Sequence, residues 1–188
     1  ARIEALCRRL QDMEDVAELA PRLLPPLDEM TSLACWQRLD DDFCQTPHWQ
    51  GAAAETGAIA RLRKSAGTNT AAFAARWLAR IEELRDWAAG SEKVGAGGTA
   101  SAAASEAGIG RALVDTARGL LMHEIRLDGD RIADYFIVAP TEWNFHPQGP
   151  LAGWLTGRYA ADRDVVQAFA ARAVAALDPC VRWELEWL

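Results

Sequence analysis

The side chains best suited to metal chemistry are four cysteines, at positions 7, 35, 44 and 180. Thiolates are soft, anionic ligands for iron, zinc and copper. No two of these cysteines form the C-x-x-C pair of zinc ribbons, and they are too sparse for the disulfide framework of a small secreted domain. We therefore expect free thiols, with Cys7 in a helical core stripe. Cys35, Cys44 and nearby His48 match no established ligand spacing, so a structural role is favoured over a metal site.

Composition and charge exclude several classes of function. Of the 188 residues, 50% are hydrophobic and 25% are charged, which is typical of one globular domain over residues 1–188. The net charge of −7 argues against nucleic-acid binding, which requires a basic face. No apolar run approaches the roughly 20 residues that span a bilayer, and no export signal follows Arg8-Arg9. We expect a cytoplasmic protein without a membrane span.

Four stretches carry apolar residues at helical spacing and are predicted to be helices: residues 3–24, 27–39, 73–88 and a segment that follows Asp162 and ends before Pro179. Asn69 or Thr70 is a suitable cap for the helix over residues 73–88, and Asp162 for the last helix. Asp40, Asp41 and Asp42 are predicted to form a solvated turn. Residues 90–108 are rich in Gly, Ala and Ser, which bury too little surface to offset their ordering entropy, so we expect a mobile loop.

A β-hairpin is predicted where two β-rich runs, GLLMHEIRL (119–127) and DRIADYFIVA (130–139), flank the turn dipeptide Asp128-Gly129. In the register that this turn implies, His123 faces Asp134 as a buried pair, and Arg118 faces Ala139. The same register places Thr141 diagonal to Arg118, roughly 7–8 Å away. One apolar face is expected to be core: Leu121, Ile125, Leu127, Ile132, Phe136 and Val138. Toward the open end of the hairpin the other face is apolar too, with Leu120, Met122 and Ile137, so that end is expected to be buried on both sides. The following loop, PTEWNFHPQGP, is expected to be irregular.

Four segments resemble motifs of nickel–iron hydrogenase large subunits, in the same order. AETGAIAR (54–61) resembles Glu-x-Gly-Pro-Leu-Ala-Arg, and DTARGLLMHEI (115–125) resembles Glu-Ala-Pro-Arg-Gly-x-x-x-His. VAPTEWN (138–144) resembles Val-Pro-Thr-Thr-Trp-Asn, and LDPCVRWELE (177–186) resembles Phe-Asp-Pro-Cys-x-x-Cys-x-x-His. The resemblance covers residues 51–188. It implies an α+β fold, mainly helical, in which a β-hairpin packs on a helix bundle as in the C-terminal part of such a subunit.

The differences from these motifs bear on function. The large subunits hold nickel and iron with four thiolates from two C-x-x-C pairs. Here Cys180 matches one of them, while Trp183 stands at the second cysteine and Glu186 at the histidine. Because a two-metal centre cannot be built on one matched thiolate, the sequence predicts neither bound nickel nor hydrogen activation, and hence no enzyme. Glu186 is a further candidate, as an oxygen ligand for a hard cation such as magnesium.

This pattern is similar to that of the HupK/HoxV-type hydrogenase accessory proteins. The resemblance implies a scaffold that transiently holds an iron–cyanide–carbonyl group, Fe(CN)₂CO, and works with hydrogenase maturation proteins and the hydrogenase large subunit. Cys180 is then the candidate iron ligand. Arg118 and the Pro140-Thr141 loop are the candidate contacts to the cyanides, and Asp178 is expected to hold the arginine. A rival interpretation is a metal-free mimic of the large subunit that binds maturation chaperones or the small subunit.

Overall fold

The computed structural model describes residues 2, 4–5, 8, 22–25, 39–62, 72–90, 100–157 and 162–187. Within these ranges the chain combines helices with one antiparallel sheet, which confirms a mixed α and β fold. The helices are α1 Asp41–Gln45, α2 Ala58–Arg61, α3 Ala72–Ala88, α4 Pro140–Asn144, α5 Pro150–Leu155 and α6 Arg163–Leu177. The strands are β1 Ala100–Glu106, β2 Ile109–Thr116, β3 Gly119–Asp128 and β4 Arg131–Val138. Most of the two predicted helices, 3–24 and 27–39, lies outside the described residues. Residues 22–24 are described and are not helical, since Leu23 forms a β-bridge with Glu55.

The sheet is a four-stranded meander in the order β1-β2-β3-β4, of which the sequence predicted only the β3–β4 hairpin. The expected mobile loop over 90–108 is wrong for residues 100–106, which pair with β2 from Ala100↔Val114 to Glu106↔Ile109. Residues 91–99 lie outside the described part of the chain. Backbone ladder bonds form a strand here although Ala and Ser have little β propensity, because the neighbouring strand β2 provides the template.

The predicted hairpin register is wrong. The turn consists of Gly129 and Asp130, so that Asp128 faces Arg131, and Gly129 alone in this turn adopts a positive φ, 63°. A β-bulge between Arg126 and Leu127 then moves each partner on β4 one residue further along the chain, so that Leu127 faces Ile132 but Arg126 faces Asp134. His123 consequently faces Ile137 rather than Asp134. The predicted pairing of Arg118 with Ala139 does not form, since Arg118 lies in the turn before β3.

The register decides which face of the sheet is buried, because successive side chains of a strand point to opposite faces. The core contains Leu120 and Met122 of β3, which confirms their predicted burial at the open end of the hairpin, whereas Ile137, predicted to be buried with them, is 46% exposed. Leu127 and Ile132, predicted as core, are 43% and 63% exposed. Leu113 of β2 and Val138 of β4 pair with Met122 and lie on the same buried face. This face packs against apolar residues from outside the sheet: Leu24, Leu39, Phe43, Ala54 and Trp143.

Glu124, on the same buried face, is fully enclosed and forms an ionic network. Its carboxylate accepts hydrogen bonds from Arg111 Nε at 2.6 Å and from Arg126 Nε at 2.8 Å. The backbone N–H of Leu39 donates to it at 3.3 Å, and Arg126 also donates to the Leu39 carbonyl. Although burial opposes ionisation, these donors together lower the pKa of Glu124. The network ties the segment before α1 to the sheet.

Short helices replace two predicted irregular segments. The Asp40–Asp42 run starts α1, since the Asp40 carboxylate accepts the Phe43 N–H at 2.8 Å as an N-cap. Part of the loop after β4 is helical, because Pro140 and Pro150 occupy first-turn positions of α4 and α5, where proline is tolerated.

The two long helices agree with the sequence prediction. Asp162 caps α6 by accepting the Asp164 N–H at 2.9 Å, as predicted. Helices α3 and α6 pack around Phe73, whose ring meets Trp154 edge-on at 5.0 Å and Phe169 at 5.4 Å. The predicted caps of α3, Asn69 and Thr70, lie outside the described residues. None of the helices in the described ranges has the length and apolarity needed to cross a bilayer.

Candidate functional site

A three-residue segment at the end of α6 carries two of the predicted site residues. Asp178 adopts the left-handed conformation, with φ 53°, and donates its N–H to the Val174 carbonyl at 3.1 Å. This C-cap geometry, followed by Pro179, ends the helix and turns the chain outward. Cys180 follows as an exposed free thiol. The sequence prediction that Cys180 lies directly after a helix is therefore confirmed.

The other two predicted residues contact this segment from the sheet side. Arg118, in the β2–β3 turn, places Nε 3.4 Å from the Asp178 carboxylate, and both side chains are partly solvated, at 45% and 40% exposure. Thr141, in the first turn of α4, places Oγ1 3.3 Å from the Cys180 sulfur. Pro140, the residue before it, is buried at the start of α4. The four polar residues thus meet on one surface, although the predicted hairpin register was wrong.

Two glycines allow the AETG segment and the β2–β3 turn to approach closely. A Cβ on Gly119, whose φ is 132°, would lie 2.3 Å from Thr56 Cγ2. A Cβ on Gly57 would lie 2.9 Å from the Arg118 carbonyl oxygen. The Thr56 hydroxyl accepts the Leu120 N–H at 2.9 Å, which locks the two segments together. Backbone packing therefore fixes the position from which Arg118 projects.

The polar residues behind this surface were not predicted from the sequence. Glu55 and Arg76 form a buried, bidentate ion pair, with hydrogen bonds of 2.8 and 2.6 Å. Buried Asn144 accepts the Thr56 N–H at 2.9 Å and so joins α4 to the AETG segment. An available signal was Arg76 within the apolar stretch AFAARW of α3, since an arginine among buried neighbours requires a partner. The cleft that these residues line has a volume of about 20 Å³, enough for about one water molecule.

Arg61, at the end of α2, forms hydrogen bonds with residues at the β2–β3 turn. It binds Glu83 through two hydrogen bonds of 2.5 and 2.8 Å, Asp115 at 2.7 Å, and the Thr116 carbonyl at 2.9 Å. Burial opposes the charged guanidinium, but the two carboxylates outweigh it and raise the pKa of Arg61. The turn that carries Arg118 is thus held by α2 and α3.

The remaining candidates are not brought to this surface by any described contact. Glu186 is exposed in residues 182–187, which form neither helix nor strand. His123 is half-buried and its Nδ1 lies 2.8 Å from the Tyr135 hydroxyl, so the predicted pair with Asp134 is wrong. Cys44 is half-buried against β4; burial raises the pKa of its thiol, while a hydrogen bond from the Ile137 N–H opposes this. Cys7 and Cys35 lie outside the described residues, among which no three His, Cys, Asp or Glu side chains gather as a metal site.

Comparison with known proteins defines the class. The sequence matches the nickel-dependent hydrogenase family over residues 63–182, more than half of the chain. The chain therefore belongs to the nickel-dependent hydrogenase family.

More particularly, it is similar to hydrogenase expression/formation proteins. It is 40% identical to HupK of Rhizobium leguminosarum bv. viciae over 94% of this chain and 50% of that protein. It is 36% identical to HoxV of Cupriavidus necator, over 97% of this chain and 51% of the relative, and 33% identical to HupK of Azotobacter vinelandii, over 95% and 50%. The chain spans about half the length of these relatives.

Proposed function

We propose that this domain acts in hydrogenase formation as a scaffold that holds an iron–cyanide–carbonyl group as cargo before its transfer to the hydrogenase large subunit. The observation that carries the proposal is the meeting of Cys180, Thr141, Arg118 and Asp178 on one surface. An accessory role in hydrogenase formation agrees with the names of the relatives, HupK and HoxV.

The chemistry of the four side chains fits such a cargo. The Cys180 sulfur can supply one thiolate to iron. Arg118 offers guanidinium N–H donors and Thr141 a hydroxyl donor, which are suitable partners for anionic cyanide nitrogens. Asp178 restrains Arg118 through the 3.4 Å contact while leaving other N–H groups of the guanidinium available.

The exposure of the surface supports temporary holding rather than permanent burial. Cys180 is exposed, Arg118 is 45% exposed, and the cleft behind them has a volume of only about 20 Å³. A group of several heavy atoms would therefore sit on the outer side of the cleft. A partner protein can approach a group in that position directly, as receipt and transfer of a cargo require.

The proposal is tested by infrared spectroscopy. The protein is co-produced with hydrogenase maturation proteins, purified without oxygen, and examined for the stretching bands of cyanide and carbon monoxide bound to iron. We expect both sets of bands in the unmodified protein and in Cys44→Ala, and their loss in Cys180→Ala. In Arg118→Gln the cyanide bands should shift more than the carbonyl band, because the arginine is proposed to contact the cyanides. Bands that persist unchanged in Cys180→Ala would refute the proposal.

A second candidate function is the metal-free mimic of the large subunit, which the α3 surface favours. Leu84 and Trp87 are 64% and 69% exposed and line a groove of about 430 Å³ that extends to Asp178. Exposed apolar side chains beside a functional surface are typical of protein–protein contacts. Iron-free protein that binds a purified maturation chaperone with unchanged affinity in Cys180→Ala, and weakly in Trp87→Ala, would favour the mimic.

A further inference from the structure

We infer that Arg80 is a positioning residue for the site: it fixes the end of α6 and, through it, the placement of Asp178 and Cys180. The effect of Arg80 on iron binding rests on the proposed function, whereas its effect on the positions of Asp178 and Cys180 does not. Arg80 belongs to α3 and matches none of the four motifs described above.

Arg80 binds the carbonyl groups that end α6. Its Nη1 donates to the Ala176 carbonyl at 2.9 Å and its Nη2 points to the Ala175 carbonyl at 3.3 Å. The last carbonyls of a helix have no partner within the helix, and a cation near them is favoured by the helix dipole. The last turn of α6 contains no basic residue of its own. Arg80 therefore supplies from α3 the donors and the positive charge that this helix end requires.

The guanidinium is itself held in place. Its carbon atom lies 4.3 Å from the centre of the Trp77 ring, one turn earlier on α3, which is a cation–π distance. Burial lowers the pKa of Arg80, and the charge of Asp178 counteracts this effect. Arg80 thus reaches the end of α6 from a helix rather than from a loop.

The chain leaves α6 directly after the carbonyls that Arg80 binds. Asp178 is the left-handed cap, and Cys180 follows two residues later. If the carbonyls of Ala175 and Ala176 turned to water, the last turn would fray. The Arg118–Asp178 and Thr141–Cys180 contacts would then weaken together. Lysine cannot fully replace Arg80, because one ammonium nitrogen does not span two carbonyl groups as the two terminal nitrogens of the planar guanidinium do.

An engineered disulfide measures this geometry without any metal. Thr141→Cys places a second sulfur where Oγ1 now lies, 3.3 Å from the Cys180 sulfur. The other cysteines, Cys7, Cys35 and Cys44, are changed to serine. The equilibrium constant for closing the 141–180 disulfide against oxidised and reduced glutathione gives the effective concentration of the two thiols.

We expect Arg80→Gln to lower this effective concentration about tenfold, the size of effect that loss of a charged hydrogen-bond donor gives. Arg80→Lys should recover part of the loss. Arg85→Gln, an exposed arginine on the same helix, should change nothing. An Arg80→Gln variant with the same disulfide equilibrium as the parent would overturn the inference.

General destabilisation is excluded by a matched variant. Gly129→Ala strains the β3–β4 turn through its positive φ, at the end of β4 opposite to α4, and should lower stability without changing the disulfide equilibrium. An equal loss of effective concentration in Gly129→Ala would also overturn the inference.

The infrared experiment separates this inference from the proposed function. With native Thr141, Arg80→Gln should retain less cyanide and carbonyl signal per protein than Arg85→Gln. If no variant, including the parent, shows these bands, the proposed function fails while the disulfide equilibrium still decides the role of Arg80.

Discussion

Replacement of Arg76 by leucine tests whether the buried ion pair supports the fold behind the site. The side chains of Arg76 and Glu55 are 2% and 3% exposed and share hydrogen bonds of 2.8 and 2.6 Å. Arg76→Leu leaves the Glu55 carboxylate without this partner in a place that water hardly reaches. Breaking a buried pair in this way costs about 3–5 kcal/mol. The variant also loses the 2.7 Å bond to the Ala72 carbonyl and the contact of the guanidinium with the Trp154 ring.

Urea denaturation measures the cost. With a typical slope of about 2 kcal/mol per molar urea, a loss of about 4 kcal/mol moves the unfolding midpoint down by about 2 M. Because a domain has only about 5–15 kcal/mol of stability in total, Arg76→Leu is expected to be marginally folded. The double variant Glu55→Met/Arg76→Leu should recover most of the lost stability, because it also removes the buried carboxylate that Arg76→Leu leaves unpaired.

An Arg76→Leu variant within about 1 kcal/mol of the parent would refute this reasoning, because a buried carboxylate cannot lose its partner at so little cost. A double variant no more stable than Arg76→Leu would show that packing, rather than charge, sets the loss.

Two further predictions concern a close approach and a buried histidine. Gly119→Ala should destabilise the protein by about 2 kcal/mol or more, because its Cβ would meet Thr56 at 2.3 Å. Gly129→Ala, with no atom within 4 Å of its Cβ, should cost only about 1 kcal/mol, which is the cost of its positive φ. Thermal unfolding compares the two glycine variants, and equal costs would contradict the close approach. Burial lowers the pKa of His146; a hydrogen bond to the Thr46 backbone opposes this effect, and the charge of His48 adds to it. The unfolded chain therefore binds a proton more readily, and stability should fall as the pH drops through about 6.5, the ordinary pKa of histidine. This acid sensitivity, read from urea midpoints at two pH values, should diminish in His146→Asn, and an identical pH dependence would argue against it.

Local patterns predicted those elements whose signals are local. Helix α6 followed from its apolar stripe, its Asp162 cap and Pro179, all within one stretch of sequence. The hairpin was also predicted, but its register depended on the turn position and on a bulge between Arg126 and Leu127, which no residue type specifies. Strand β1 was missed because an Ala- and Ser-rich segment becomes a strand only when a neighbouring strand offers its backbone groups.

The sequence by itself determined which side chains are available: one matched cysteine, an arginine before glycine, a threonine after proline and an aspartate before Pro179. Tertiary structure decided that Arg118 meets Asp178 and that Thr141 meets Cys180. These partners are separated by 60 and 39 residues. Their meeting depends on how a sheet, a short helix and the end of α6 pack together, and packing over such separations is set by the whole core rather than by any local pattern.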